Sequence, residues 1–109
     1  MKFIAFWEHS REDTDKLTPK LQKWLEGLKK NPDKHTKPIF PPHYLAAVNE
    51  KGNPNGISIF ECDDEEKMID YIQSYWPEMR FRIVPLMDAG KTVEINLKMR
   101  KQPKLSALK

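Results

Sequence analysis

A chain of 109 residues has room for one core rather than two, and a domain of this size buries somewhat over ~60% of its extended-chain surface. With 39% hydrophobic and 32% charged residues the composition is that of an ordinary soluble globule, and a net charge of +3 from 19 basic and 16 acidic side chains specifies no partner. The single cysteine, Cys62, excludes an internal disulfide, no apolar run is long enough to span a bilayer, and no signal segment opens the chain, so the expected location is cytoplasmic.

The first element predicted is a strand, Phe3-Ile4-Ala5-Phe6-Trp7-Glu8, which is apolar on both faces and ends in a carboxylate. Successive strand side chains point to opposite sides, so Phe3, Ala5 and Trp7 need one cover and Ile4 and Phe6 a second. A helix follows from Ser10 or, given Pro19, from nearer Thr18, with Leu17, Leu21, Trp24, Leu25 and Leu28 on one stripe. It stops at Asn31-Pro32. The proline-rich stretch Asp33 to Pro42 predicts an ordered loop pinned by Ile39 and Phe40.

A strand is expected at Tyr44 to Asn49, then a turn at Gly52-Asn53-Pro54-Asn55-Gly56 and a hairpin partner from Ile57 to Cys62. Asp63 or Asp64 caps a second helix whose predicted stripe is Met68, Ile69, Ile72 and Trp76, ended by Pro77. The last core strand is placed at Met79 to Met87. Beyond it Val93, Ile95, Leu97 and Met99 alternate as in a strand, while Asp88-Ala89 reads equally as a helix start. Residues 1–100 thus form one domain. The tail 101–109 is basic, and a solvated, frayed end is preferred over a nucleic-acid contact because it holds no aromatic residue to stack on a base.

The order βαββαβ with a C-terminal extension is that of an α+β, ferredoxin-like fold, read here with sheet order 4-1-3-2 and the first and third strands parallel. Helices in that order cover one face of the sheet, so the second cover is expected from another copy of the chain. On this topology Glu8 and Glu61 at two strand ends, with His43 and Arg80 at two strand starts, share one polar rim. Glu8 pairs with Arg82 or Arg80. Such a pair is either a structural ion pair or a device that keeps Glu8 ionised for a ligand. His43, held by Pro41-Pro42, is either a satisfied structural histidine or the best proton-transfer group. Cys62 reads as a small buried hydrophobe, and the spacing of His9, His35 and His43 suggests no metal site.

The segments Phe3 to Glu8, Ile39-Phe40-Pro41-Pro42-His43, Gly56 to Asp64 and Val84-Pro85-Leu86-Met87 together resemble the DUF3303 family, up to about Met99. The resemblance implies a ferredoxin-like protomer whose sheet packs against that of a twofold mate as a dimeric α/β barrel, and a helix after the last strand. It also implies a small residue such as alanine where Cys62 stands, and it brings no established catalytic residues. The wider superfamily holds cofactor-independent enzymes, such as monooxygenases and isomerases, as well as small-molecule binders. The expected function is binding of a small, partly apolar organic molecule between the sheet and a dimer mate by Phe6, Trp7, Tyr44, Glu61 and Arg80, with no cofactor. The alternatives are an enzyme using His43 as acid or base, Glu8 as orienter or base and Arg82 as anion stabiliser, and a nucleic-acid-binding protein.

Overall fold

The computed structural model describes residues 1–100, so the basic tail predicted to fray lies outside the described residues. Four strands and three helices follow one another: β1 (Lys2–Glu8), α1 (Thr14–Lys30), β2 (Lys37–Tyr44), β3 (Asn55–Glu61), α2 (Glu65–Gln73), β4 (Arg80–Pro85) and α3 (Ala89–Arg100). The sheet has the order β2-β3-β1-β4, an α+β arrangement compatible with the ferredoxin-like reading. Every pairing is antiparallel. The expected parallel pairing of β1 and β3 is therefore corrected: α1 carries the chain back so that β1 and β2 run alike, and β3, inserted between them, opposes both. This moves Glu61 to the edge opposite Glu8, where it faces Lys2 and Lys37.

Ala5 and Trp7 of β1 join Leu17 and Trp24 of α1, Phe60 of β3 and Tyr71 of α2 in the buried core, with Phe3 packed against it. Ile4, Phe6 and Glu8 take the other face, as the alternation requires. There they meet Ile57, Ile59, Arg80, Arg82 and Val84, the residues in register with them on β3 and β4.

Three elements depart from expectation. The proline-rich stretch is not a loop: Lys37–Tyr44 forms the edge strand β2, and the expected strand Tyr44 to Asn49 is loop after Tyr44. An edge strand tolerates residues without an N–H, and the register shifts between Pro38 and Phe40 and again between Phe40 and His43 absorb the prolines. His43 consequently ends a strand instead of starting one, yet stays at the Glu8 edge because β2 runs alongside β1. On α2 the buried stripe is Met68, Tyr71 and Ile72, continued by Tyr75 in the following turn, while Ile69 and Trp76 are exposed. Tyr71 displaces the aliphatic alternative because its ring packs on Phe60 at 4.9 Å and its hydroxyl finds Ser58 at 2.8 Å.

After the last strand the chain is helical. Asp88 caps α3, its Oδ2 accepting from the Lys91 N–H at 2.8 Å, and Asp64 likewise caps α2 through the Glu66 N–H. Helical spacing turns the alternation into two apolar stripes, Val93 with Leu97 and Ile95 with Met99, all of them exposed. α1 begins at Thr14 after a single turn of 3-10 helix and continues through Pro19. Its Lys20 reaches the Trp76 carbonyl and pairs with Glu78, fastening the helix to the segment before β4. Cys62 is buried, its thiol donating to the Asp64 carbonyl at 3.1 Å.

Candidate functional site

Three consecutive residues at the end of β1 divide the chemistry. Trp7 and His9 lie on the helix side and Glu8 on the open side of the sheet. Opposite them, the loop from Leu45 to Pro54 folds on itself: Asn49 Oδ1 accepts from the N–H groups of Lys51 (3.1 Å) and Asn53 (2.9 Å), and Gly52 closes the turn at φ 77°. Glycine adopts that positive φ without a steric penalty.

This loop clamps Glu8. Its Oε2 accepts from Asn49 Nδ2 at 2.7 Å and Asn53 Nδ2 at 3.1 Å, and the carboxylate pairs with Arg80 at 3.5 Å and Lys51 at 3.8 Å. The Asn53 and Asn49 hydrogen bonds, with Arg80 and Lys51 in support, hold its pKa at about 2 against an ordinary 4.5, partial burial opposing them. A lowered pKa stabilises the fold above the unfolded value and loses that contribution as pH falls through the folded one. At 1.36 kcal/mol per unit such a shift is worth about 3 kcal/mol, and water at the rim reduces this to about 1–2 kcal/mol. Glu8→Gln is therefore expected to be less stable than the parent at pH 7, with the gap closing as pH drops from about 4.5 to 2. Urea melts across that range check it, and a gap independent of pH contradicts the clamp.

The expected rim residues are thus parted. Glu8, Arg80 and Arg82 share the open face, where Glu8 pairs with Arg80 and the Arg82 guanidinium lies over the Phe6 ring, 5.4 Å from its centroid. His43 shares that face, opposite Ile57, but stacks on Phe40 at 4.3 Å while its Nδ1–H donates to the Pro41 carbonyl at 2.6 Å. Among the described residues no hydrogen bond joins His43 to Glu8. Trp7 and Tyr44 belong to the other face, and Glu61 to the far edge.

On the helix side, between the sheet, α1 and the end of α2, lies a cavity of about 380 Å³. Its walls are Trp7, Leu17, Tyr71 and Met79, all buried, with Leu21 partly so. Thr14, Thr18 and Tyr44, all exposed, frame the mouth. His9, fully buried, backs Tyr44: its Nδ1 is 2.7 Å from the Ser10 carbonyl and its Nε2 2.7 Å from the Tyr44 hydroxyl. A carbonyl only accepts, so Nδ1–H donates to the Ser10 carbonyl, and Nε2 shares the second hydrogen bond with the Tyr44 hydroxyl. The Tyr75 hydroxyl, in the wall, is buried without a hydrogen-bond partner among the described residues. Burial raises the pKa of Tyr71 and Tyr75, and partial desolvation that of Tyr44, so all three phenols stay protonated near neutrality.

Sequence reasoning missed His9 and Tyr75. The signals available were the strand alternation, which puts His9 on the same side as Trp7, and the spacing of four between Tyr71 and Tyr75. Comparison with curated proteins and with solved structures gives no match. A family model for a domain of unknown function, DUF3303, matches residues 1–100, and the chain belongs to that family.

Proposed function

We propose that this protein is a cytoplasmic homodimer that binds a small, partly apolar organic molecule in the cavity between its sheet and helices. The observation that carries the reading is the cavity itself. Its volume of about 380 Å³ falls within the roughly 300–1,000 Å³ of small-molecule sites, and apolar walls with a few fixed polar groups are what such sites use. This places the site on the helix side of the sheet instead of between the sheet and a dimer mate; of the ligand-binding residues expected from the sequence, Trp7 and Tyr44 line it, and Phe6, Glu61 and Arg80 do not.

The dimer is supported by the open sheet face, where Ile4, Phe6, Ile57, Ile59 and Val84 form a patch opposite the helices. A twofold mate laid sheet to sheet covers it. The proton-transfer alternative has less support: Glu8 is held ionised by two amide donors and two cations, and His43 is tied to its own strand.

Indole, neutral and small enough for the cavity, is a suitable general probe. At about ten times its Kd it is expected to stabilise the protein by about 1.4 kcal/mol, read as a rise in melting temperature. Leu21→Trp, which fills the cavity, is expected to abolish that rise while keeping the fold. A rise equal in both proteins moves the site elsewhere.

A further inference from the structure

The two apolar stripes of α3 lie on opposite sides of the helix. At about 100° per residue, Ile95 and Met99 sit roughly 160° from Val93 and Leu97, with Lys91, Glu94 and Lys98 on one flank between them and Thr92 and Asn96 on the other. Both stripes face water within one copy of the chain: the four apolar residues are 46% to 57% exposed, and every residue from 85 to 100 is exposed. A lone helix of 12 residues is marginal in water. Two opposed stripes call for two covers, as the two faces of β1 do. A membrane surface supplies only one, since it is met by a single wide apolar side.

The open face of the sheet leads toward this helix. Leu86 follows Arg82 and Val84 in the alternation of β4, and its N–H donates to the Lys2 carbonyl at 2.8 Å, so the apolar patch of Ile4, Phe6 and Val84 extends through Leu86 to the exposed Met87, just before α3. That face alone is small for a dimer. Four strands of six to eight residues, at ~4.8 Å between strands and ~3.3 Å per residue, give a footprint of about 450 Å². A specific, stable interface takes about 800 Å² from each partner. α3 is about 18 Å long and about 10 Å across, so its two apolar sides offer about 350 Å² more, and sheet and helix together reach that size.

We infer that α3 is an arm exchanged between two copies of this chain: in the twofold dimer it crosses to the mate and lies between the mate's body and the mate's own α3, one stripe against each. This rests on the dimer read from the open sheet face and adds the seat of the C-terminal helix.

Sedimentation velocity on the full-length parent and on Leu97→Glu, Met99→Glu and Asn96→Glu, one substitution for each stripe and one for the polar flank, tests it. Leu97→Glu and Met99→Glu are each expected to weaken dimerisation at least about tenfold, because a carboxylate must leave water there, and Asn96→Glu to leave it unchanged. Thiol reactivity gives a second readout without a change of charge, the native Cys62 being buried. In the dimer, Leu97→Cys and Met99→Cys are expected to react with a maleimide at least about tenfold more slowly than Asn96→Cys. Dimers that survive both stripe glutamates with all three thiols equally reactive overturn the arm and leave the sheet-to-sheet pairing standing. Protection of one stripe alone overturns the two-sided seat. Protection that persists in a monomeric Phe6→Glu background places α3 on its own protomer, and protection that appears only with anionic lipid vesicles places it on a membrane; either overturns the arm. A parent chain that is monomeric at every concentration overturns both the arm and the dimer.

Discussion

Replacing Gly56 with alanine is expected to lower the melting temperature by about 12 °C or more, the largest loss expected from alanine at any of the four glycines. Gly56 lies in register between Trp7 on β1 and Tyr44 on β2, and those two rings meet edge to face across it at 4.8 Å. A Cβ there would overlap both the Trp7 ring and the His43 carbonyl oxygen. The ring is buried and the carbonyl belongs to the backbone, so neither gives way cheaply. Overpacking of this kind costs about 1–3 kcal/mol or more, and with a backbone atom involved the upper end applies. At 4–8 °C per kcal/mol for a domain near this size, about 3 kcal/mol gives the stated shift. Thermal melts followed by circular dichroism measure it. An alanine variant melting close to the parent would show that the two rings do not need the space. The same substitution at Gly52 makes a useful contrast, because nothing lies within 4 Å of a Cβ there and only its φ of 77° opposes the change.

Phe6→Glu is expected to convert the proposed dimer into a monomer while leaving the protomer folded. Phe6 is 39% exposed within one copy and sits amid the open face, opposite Ile57 on one side and Arg82 on the other. In a twofold interface the patch meets itself, so one substitution places two carboxylates in a region stripped of water. Even with Arg82 in register beside each new carboxylate, taking these ions out of water and losing the Phe6 contact costs several kcal/mol, which weakens association at least about a hundredfold. Sedimentation velocity at micromolar concentration separates the outcomes, with Ile69→Glu on the exposed side of α2 as the control. A Phe6→Glu protein that remains dimeric would sink the sheet-to-sheet arrangement.

How far the fold could be read in advance depended on whether local pattern or tertiary context decided each segment. The two-sided apolarity of Phe3 to Trp7, the leucine stripe of α1 and the Asp64 cap are local, and each stands as expected apart from Leu25, which is exposed. β2 was hidden because prolines report a loop unless the strand lies at a sheet edge, and its edge position is a property of the whole sheet. The stripe of α2 was rotated because Tyr71 and Tyr75 outweigh Ile69 once Ser58 and the Trp24 ring are there to receive them. At the site, Trp7 and Tyr44 were legible as apolar rings beside a polar edge. Their partners were not, since His9 and Tyr75 gain meaning only when α1, α2 and the sheet enclose a space.

The alternation of Trp7, Glu8 and His9 makes the two faces of the sheet thermodynamically answerable to each other. The loop that clamps Glu8 through Asn53 continues into Pro54, which lines the cavity and whose carbonyl accepts from the His9 N–H at 3.1 Å. A molecule that tightens the mouth therefore acts on the same few peptide units that hold the carboxylate. Whatever factor separates its affinities for the protonated and ionised states of Glu8, the proton's own affinity must change by that factor when the molecule binds.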